Sequence, residues 1–266
     1  MIRVMSIGDV FGPKSVTILA THLEELKKKY KPDVIIVNTE NAGQKNHGPS
    51  EEIITQLTNA GVFIFTGGNH SLARKELFDV HQKHRNLLRP CNFPSGTSGY
   101  GYGVYQIPGL GVKIACINVQ LRAFMKEFLS CPFKSVESIL MVLKNDNPII
   151  LIDVHGETTA EKACFGHYFD GSVSAIWGTH THVQTADEQI LPKGTGFITD
   201  LGMTGPLHSS IGHKLQERIY NFITQMPAKY EIEENGPHVI AGAIFDIDKK
   251  TKQCVHVERI RTIVSG

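Results

Sequence analysis

The chain reads as an α/β protein built on an open sheet, with its functional residues at the carboxyl ends of the strands. Three observations predict this. Continuous runs such as Val34-Ile35-Ile36-Val37 and Ile149-Ile150-Leu151-Ile152 are apolar at every position, as in strands buried on both faces of a parallel sheet. Those runs alternate with segments of helical spacing. Five strand-like runs end in residues able to bind a metal or move a proton: Asp9; Glu40 with Asn41; Asn69 with His70; His155; and His180 with His182.

A chain of 266 residues can bury a large core, and residues 1–266 are expected to form one domain, with small lid elements from 90–105 and 202–230. Apolar residues make up 41% and charged residues 20%, with a net charge of +1. That balance argues against an extended nucleic-acid surface or a polybasic membrane anchor, but it admits a small phosphorylated substrate. The N-terminal apolar run is short and soon meets Asp9, and no run approaches a membrane span, so a soluble cytoplasmic protein is expected. The five cysteines, Cys91, Cys116, Cys131, Cys164 and Cys254, are scattered and never spaced as Cys-x-x-Cys; they are read as reduced core residues. A homo-oligomer stays open, because buried apolar strands carry no information on subunit contacts.

In chain order, Ile2 to Ile7 is a strand, and Val16, Leu19, Ala20, Leu23 and Leu26 mark one face of the helix after Pro13. Lys27 to Lys29 suit the negative end of that helix dipole, and Pro32 stops it. Asp33 to Asn38 is the second strand. Ser50 then caps a helix with the stripe Ile53, Leu57 and Ala60, ended by Gly61. Val62 to Thr66 is the third strand and runs into Gly67-Gly68-Asn69-His70, where two glycines let the backbone approach a bound ion closely. A short helix is expected around Lys75 to His81, followed by a Gly-rich loop from Pro94 to Gly103. Val104 to Ile107 and Val112 to Val119, joined by Pro108-Gly109-Leu110-Gly111, read as a hairpin. Ser135 is expected to cap a helix with the stripe Ile139, Leu140 and Leu143. The strand from Ile149 ends in Asp153-Val154-His155, and Thr158 with Glu161 predicts a capping box. Val173 to Trp177 leads into Gly178-Thr179-His180-Thr181-His182; a strand near Phe197 to Thr199, a helix near Lys214 to Phe222 and a hairpin of His238 to Asp246 with Val255 to Ile263 complete the chain.

With 13 histidines present, an isolated His-x-His is a weak signal. It gains weight because the carboxyl ends of strands in an open α/β sheet border one crevice, where residues distant in sequence converge. Oxygen and nitrogen donors without thiolate suit manganese, iron or zinc, and the donors suffice for two ions. Glu40 is the natural bridge, since a carboxylate has two oxygens to share. Asp153 is expected to accept an imidazole N–H at one remove from the metals. His167, His208, His213, His238 and His256 lack the strand-end context and read as ordinary surface or core histidines; neither Ser71 nor any cysteine shows the base pairing of a nucleophile.

The order Asp9, Glu40-Asn41, Gly68-Asn69-His70, His155 and Gly178-Thr179-His180-Thr181-His182 resembles the binuclear, calcineurin-like metallophosphoesterase superfamily. Two departures, Phe11 in place of a first histidine and Glu40-Asn41 in place of Gly-Asp, are similar to its YmdB-like subfamily of bacterial cyclic-nucleotide phosphodiesterases. So are Ile7-Gly8-Asp9-Val10, Arg89-Pro90 with Gly96-Thr97, Cys131-Pro132-Phe133, the run Gly178 to Asp187, and Gly202 to Pro206. Ser71-Leu72 and the stretch Val119-Gln120-Leu121 before Arg122 depart from that pattern. The resemblance implies a layered αββα sandwich with the metal site at the carboxyl ends of the strands. It also implies one ion on Asp9, Glu40, Asn41 and His182, a second on Glu40, Asn69, His155 and His180, and His70 as proton donor. The two ions would be divalent or mixed-valence, with iron or manganese favoured over zinc.

The chemistry expected from such a site is hydrolysis of a phosphodiester by a metal-bridging hydroxide. The resemblance implies 2′,3′-cyclic nucleotides as substrates, ahead of 3′,5′-cyclic ones. Amidohydrolase barrels also use His-x-His, but on their first strand, which here ends in Asp9. The alternative from a different class is a metal-containing regulatory module that binds a nucleotide or protein with little turnover; the same ligand set would serve it.

Overall fold

The computed structural model describes residues 1–43, 47–107, 109 and 111–266. In chain order the elements are β1 (Ile2–Ile7), β2 (Asp9–Val10), α1 (Gly12–Tyr30), β3 (Val34–Asn38), α2 (Glu51–Asn59), β4 (Ile64–Thr66), α3 (Glu76–Lys83), β5 (Tyr102–Gln106) and β6 (Lys113–Gln120). There follow α4 (Pro132–Leu143), β7 (Ile149–His155), α5 (Thr159–Tyr168), β8 (Ala175–Thr179), β9 (Gln189–Ile190), β10 (Gly196–Ile198), β11 (Met203–Pro206), α6 (Leu215–Thr224), β12 (His238–Ile247) and β13 (Cys254–Val264).

The strands form two sheets. One has the order β2-β11-β12-β1-β3-β4 with β13 beside β12; the other runs β5-β6-β7-β8-β10-β9. β1, β3 and β4 are mutually parallel, as are β6, β7, β8 and β10. Side-chain alternation sorts the apolar residues into three layers. Met5 and Ile7 face α1 and α2, meeting Leu19, Leu23 and Leu57. Ile2 and Val4, on the other face of β1, join Leu151, Trp177 and Phe245 between the sheets, and Ile152, Val154 and Ile176 face Val136, Leu143 and Phe165 of α4 and α5. The architecture is therefore the αββα sandwich, and the continuous apolar runs are explained by having a neighbour on each face.

Several local expectations change. β4 begins at Ile64 because Val62 N still bonds Leu57 O (3.0 Å) at the end of α2. Ser135 is inside α4, with its amide on Cys131 O, because Pro132 already occupies the first helical turn. The capping box at α5 is half formed. Thr158 Oγ1 accepts from Glu161 N (3.3 Å), but the Glu161 carboxylate reaches away to Arg122 N (3.2 Å) and Ala123 N (2.8 Å), tying down the loop after β6. Cys164 is exposed rather than buried, whereas Cys116 and Cys254 lie in the core. The β5–β6 hairpin forms in the expected antiparallel register, while Pro108 and Leu110 of its turn lie outside the described residues. The two-residue strands β2 and β9 are too short to show a period. Among the described residues no helix is long and apolar enough to cross a membrane.

Candidate functional site

The two sheets place their strand ends at one rim. β1, β3 and β4 deliver Asp9, Glu40 with Asn41, and Asn69 with His70, while β7 and β8 deliver His155 and the turn that carries His180 and His182. The ligand-type residues come from both sheets of the sandwich, and the crevice lies where the two meet.

Three acceptor atoms converge on His155 Nε2: Asn69 Oδ1 at 3.0 Å, His180 Nδ1 at 3.0 Å and Glu40 Oε1 at 3.3 Å. One N–H cannot serve three acceptors well. The opposite ring nitrogen of each histidine is already engaged. His155 Nδ1 donates to Thr179 Oγ1 (2.9 Å), because that hydroxyl gives its own proton to Asp153 Oδ1 (2.7 Å), and His180 Nε2 donates to Glu157 Oε2 (3.2 Å). The nitrogens facing Glu40 are thereby left as ligand atoms, and the donors of Glu40, His155 and His180 fall within 4.8 Å of one another. A second group adjoins it. His182 Nε2 lies 3.2 Å from Asn41 Nδ2 and 3.8 Å from Asp9 Oδ1, and that Asp9 oxygen is buried without a hydrogen-bond partner. A buried carboxylate oxygen with nothing to accept from, and an excess of acceptors around His155, both fit cations. Glu40 touches both groups, since its Oε1 also accepts from Asn41 Nδ2 (3.0 Å).

The titration behaviour agrees. Burial tends to lower the pKa of His155, but the Glu40 carboxylate outweighs it and raises the value to about 9, so a proton is held where a cation would sit. Burial and the positive charge on His155 push His180 down to about 3. Burial raises Asp9 to about 6, with His182 opposing and Glu40 adding. Glu40 is also driven upward by burial, yet His155, His70 and His180 prevail and hold it below the usual carboxylate range.

Two details refine the expected roles. Asp153 does not touch an imidazole. It accepts from Thr66 Oγ1, Asn38 Nδ2 (3.1 Å) and Thr179 Oγ1, and acts on His155 only through Thr179. Asn41 presents Nδ2, not Oδ1, to Glu40 and His182, and its oxygen faces His70 Nδ1 (2.9 Å). Gly68 has a steric reason, because a Cβ there would sit 2.2 Å from Glu40 Oε2 and 2.4 Å from His155 Nε2.

The crevice opens into a cavity of about 260 Å³ lined by Phe11, His70, Glu157, Thr181, Ile211 and His213 beside the ligand-type residues. His213 was set aside in the sequence as an ordinary histidine. It reaches the site because the segment after β11 folds back, setting its ring edge-on to Phe11, which in turn meets His182 edge-on. Nothing in the local sequence signals this. Glu157, two residues after His155, could have been suspected from the pairing of metal-binding histidines with carboxylates. Residues 94–103 contribute nothing to this lining. A larger groove of about 680 Å³ over Leu140, Met141 and Tyr168 contains none of the strand-end residues, so size does not mark the site.

Residues 5–260 match the family model described as YmdB-like protein. The chain is 42% identical over 258 residues to a Bacillus subtilis protein named 2′,3′-cyclic-nucleotide 2′-phosphodiesterase, covering 97% of this chain and 96% of the relative. A crystal structure titled as a novel phosphatase from Mycoplasma pneumoniae superposes with a TM-score of 0.90 at 33% identity, covering 99% of this chain and 94% of that one. A 5′-nucleotidase from Candida albicans, at 12% identity and a TM-score of 0.53 over 99% of this chain and 52% of that one, shares the fold alone. With nearly its whole length matched and its strand-end residues gathered at one rim, the chain belongs to the YmdB-like family.

Proposed function

We propose that this protein hydrolyses cyclic nucleotides, 2′,3′-cyclic ones first, at two metal ions. One is held by Asp9, Glu40, Asn41 and His182, the other by Glu40, Asn69, His155 and His180. The observation that carries the reading is the position of Glu40, whose carboxylate lies against donor atoms of both groups while almost fully buried. The substrate class rests on the name of the Bacillus subtilis relative. Manganese or iron suits the thiolate-free donor set, with zinc as a third choice. Bound there, such ions neutralise charge on the phosphoryl oxygens and lower the pKa of water.

The chain's own residues supply orientation and a proton. Thr179 and Glu157 hold His155 and His180 with their ligand nitrogens toward Glu40. A half-turn of the Asn41 amide brings its oxygen toward Glu40 and His182 and sets its NH₂ against His70 Nδ1, which leaves the His70 proton on Nε2. His70 lines the cavity and is positioned by its amide on Glu40 Oε2 (3.1 Å), so it would protonate the leaving sugar oxygen.

The test is turnover of 2′,3′-cyclic AMP by purified protein stripped of metal and reloaded with Mn²⁺ or Fe²⁺. Reloading should restore activity, with about two ions per chain by elemental analysis. His70→Ala should keep both ions and lose roughly 10²- to 10⁴-fold in rate on cyclic nucleotides, but much less on a nitrophenyl phosphodiester, whose leaving group needs no proton. Equal loss on both substrates, or loss of metal, sinks the proton-donor role. Nucleotide binding without turnover at any metal loading would favour the regulatory reading instead.

A further inference from the structure

Behind the histidine turn lies a buried ion pair that neither the ligand set nor the proton donor uses. Lys162 on α5 and Asp200, in the segment after β10, are each about 1% exposed, with Nζ 2.7 Å from Oδ2. We propose that this pair is a positioning device for the candidate metal centre, holding the His180–His182 turn and Asp9 in one arrangement. The proposal rests on the metal reading above.

The turn needs such a device. His180 and His182 have φ of 104° and 65°, values that side-chain-bearing residues adopt at an energetic cost and keep only when the surroundings over-determine them. Between them stands Thr181, whose amide and hydroxyl both bond Asp200 Oδ2, at 3.2 and 2.8 Å. The other oxygen, Oδ1, accepts from Gly202 N (2.8 Å). Gly202 O in turn accepts from Asp9 N (3.1 Å), and Asp9 Oδ2 accepts from His180 N (3.2 Å), which closes a ring of contacts through both candidate metal groups. A second tie, Leu201 N on Gly178 O (2.9 Å), runs alongside, and Gly178 leaves no room for slippage, since a Cβ there would lie 1.8 Å from Thr199 O.

The chemistry of the pair follows from the donor count. Four donors converge on Asp200: Lys162 Nζ, Thr181 N, Thr181 Oγ1 and Gly202 N. Only a carboxylate has acceptors on both atoms; an asparagine would turn its NH₂ toward a donor. A carboxylate so deeply buried requires a compensating charge, which Lys162 supplies. Buried ion pairs are often no more stabilising than apolar pairs of the same volume, so this one is better explained by what it orders than by stability.

The test compares wild-type protein with the double variant Lys162→Met, Asp200→Asn, which removes both charges at similar volume. Three quantities are read: melting temperature, hydrogen–deuterium exchange of metal-free protein over residues 178–184 and 199–203, and Mn²⁺ affinity by calorimetry. The expected result is a folded variant with faster exchange confined to those two segments and Mn²⁺ affinity lower by about 10- to 100-fold, the range for lost outer-sphere support. A folded variant with wild-type exchange and Mn²⁺ binding overturns the proposal. Should the double variant fail to fold, Thr181→Val decides, since it deletes one bond to Asp200 and leaves the ion pair intact. Faster local exchange at an unchanged melting temperature supports positioning, and unchanged exchange with unchanged Mn²⁺ binding overturns it. If wild-type protein binds none of Mn²⁺, Fe²⁺ and Zn²⁺, the metal reading fails, and exchange in the metal-free proteins still decides whether Asp200 holds the turn.

Discussion

Single residues in this protein show how environment, rather than residue type, sets behaviour. Gly68 stands against the Glu40 carboxylate and the His155 ring, so Gly68→Ala drives a methyl into both. The variant should fold but bind Mn²⁺ at least about tenfold more weakly, by analogy with lost support of metal ligands; unchanged binding by calorimetry would show that the pocket relaxes around the methyl. His81 is a histidine of another kind. Buried on α3, it is pushed down to about 4, first by burial and then by Arg89 nearby. The unfolded chain takes up a proton near the ordinary value of about 6.5, whereas the folded chain resists until about 4. Stability is thus fully present above pH 6.5 and declines as pH falls toward 4, by roughly 3 kcal/mol in total for this group. Urea unfolding at pH 7 and pH 4.5 should show a smaller acid loss in His81→Leu than in wild type, and equal losses would dismiss His81 as the cause.

At the scale of elements, strand register does the assembling. β7 and β8 pair so that His155 lies opposite Thr179, and Asp153, two residues earlier on the same face of β7, meets the same hydroxyl. The relay Asp153–Thr179–His155 is therefore a property of two adjacent strands, and it sets which His155 nitrogen faces Glu40. Thr179→Val preserves the β-branched shape but strands the His155 N–H and one Asp153 oxygen. Metal affinity should fall by about 10- to 100-fold. Thr179→Ser, which keeps the hydroxyl, should recover most of it; if Ser and Val variants bind Mn²⁺ alike, the hydroxyl has no such role.

For the whole molecule, the proposed metal ligands come from both sheets, so metal binding there would couple occupancy to global stability. Asp9, Glu40, Asn41 and Asn69 come from one sheet and His155, His180 and His182 from the other, above a shared core where Trp177 and Phe245 lie 5.6 Å apart. Any ion held by both groups opposes their separation, and at a concentration 100 times its Kd it adds about 2.7 kcal/mol per site. Mn²⁺ should raise the melting temperature of the stripped protein, and Glu40→Gln should abolish most of that rise. A melting temperature indifferent to Mn²⁺ in the wild type would refute the coupling.

Much of this was legible in the linear chain. Buried strands announced themselves because a run with neighbours on both faces is apolar throughout, as Val34 to Val37 and Ile149 to Ile152 are, and helix ends because Ser50 and Thr158 satisfy amides of their own first turn. The strand-end residues were visible for a related reason, since polar groups directly after an apolar run are where a buried strand surfaces. What stayed hidden depends on non-local geometry. The strand order within each sheet follows from which strands pair, and short apolar runs carry no label for their partners. His213 and Ile211 enter the cavity only because a long excursion returns to β12, and the direction of the Asn41 amide is set by Glu40, His182 and His70 together. Nothing in the linear chain singles out Lys162 or Asp200. Only the folded chain, by burying both within 2.7 Å of each other beneath the histidine turn, makes them part of the site.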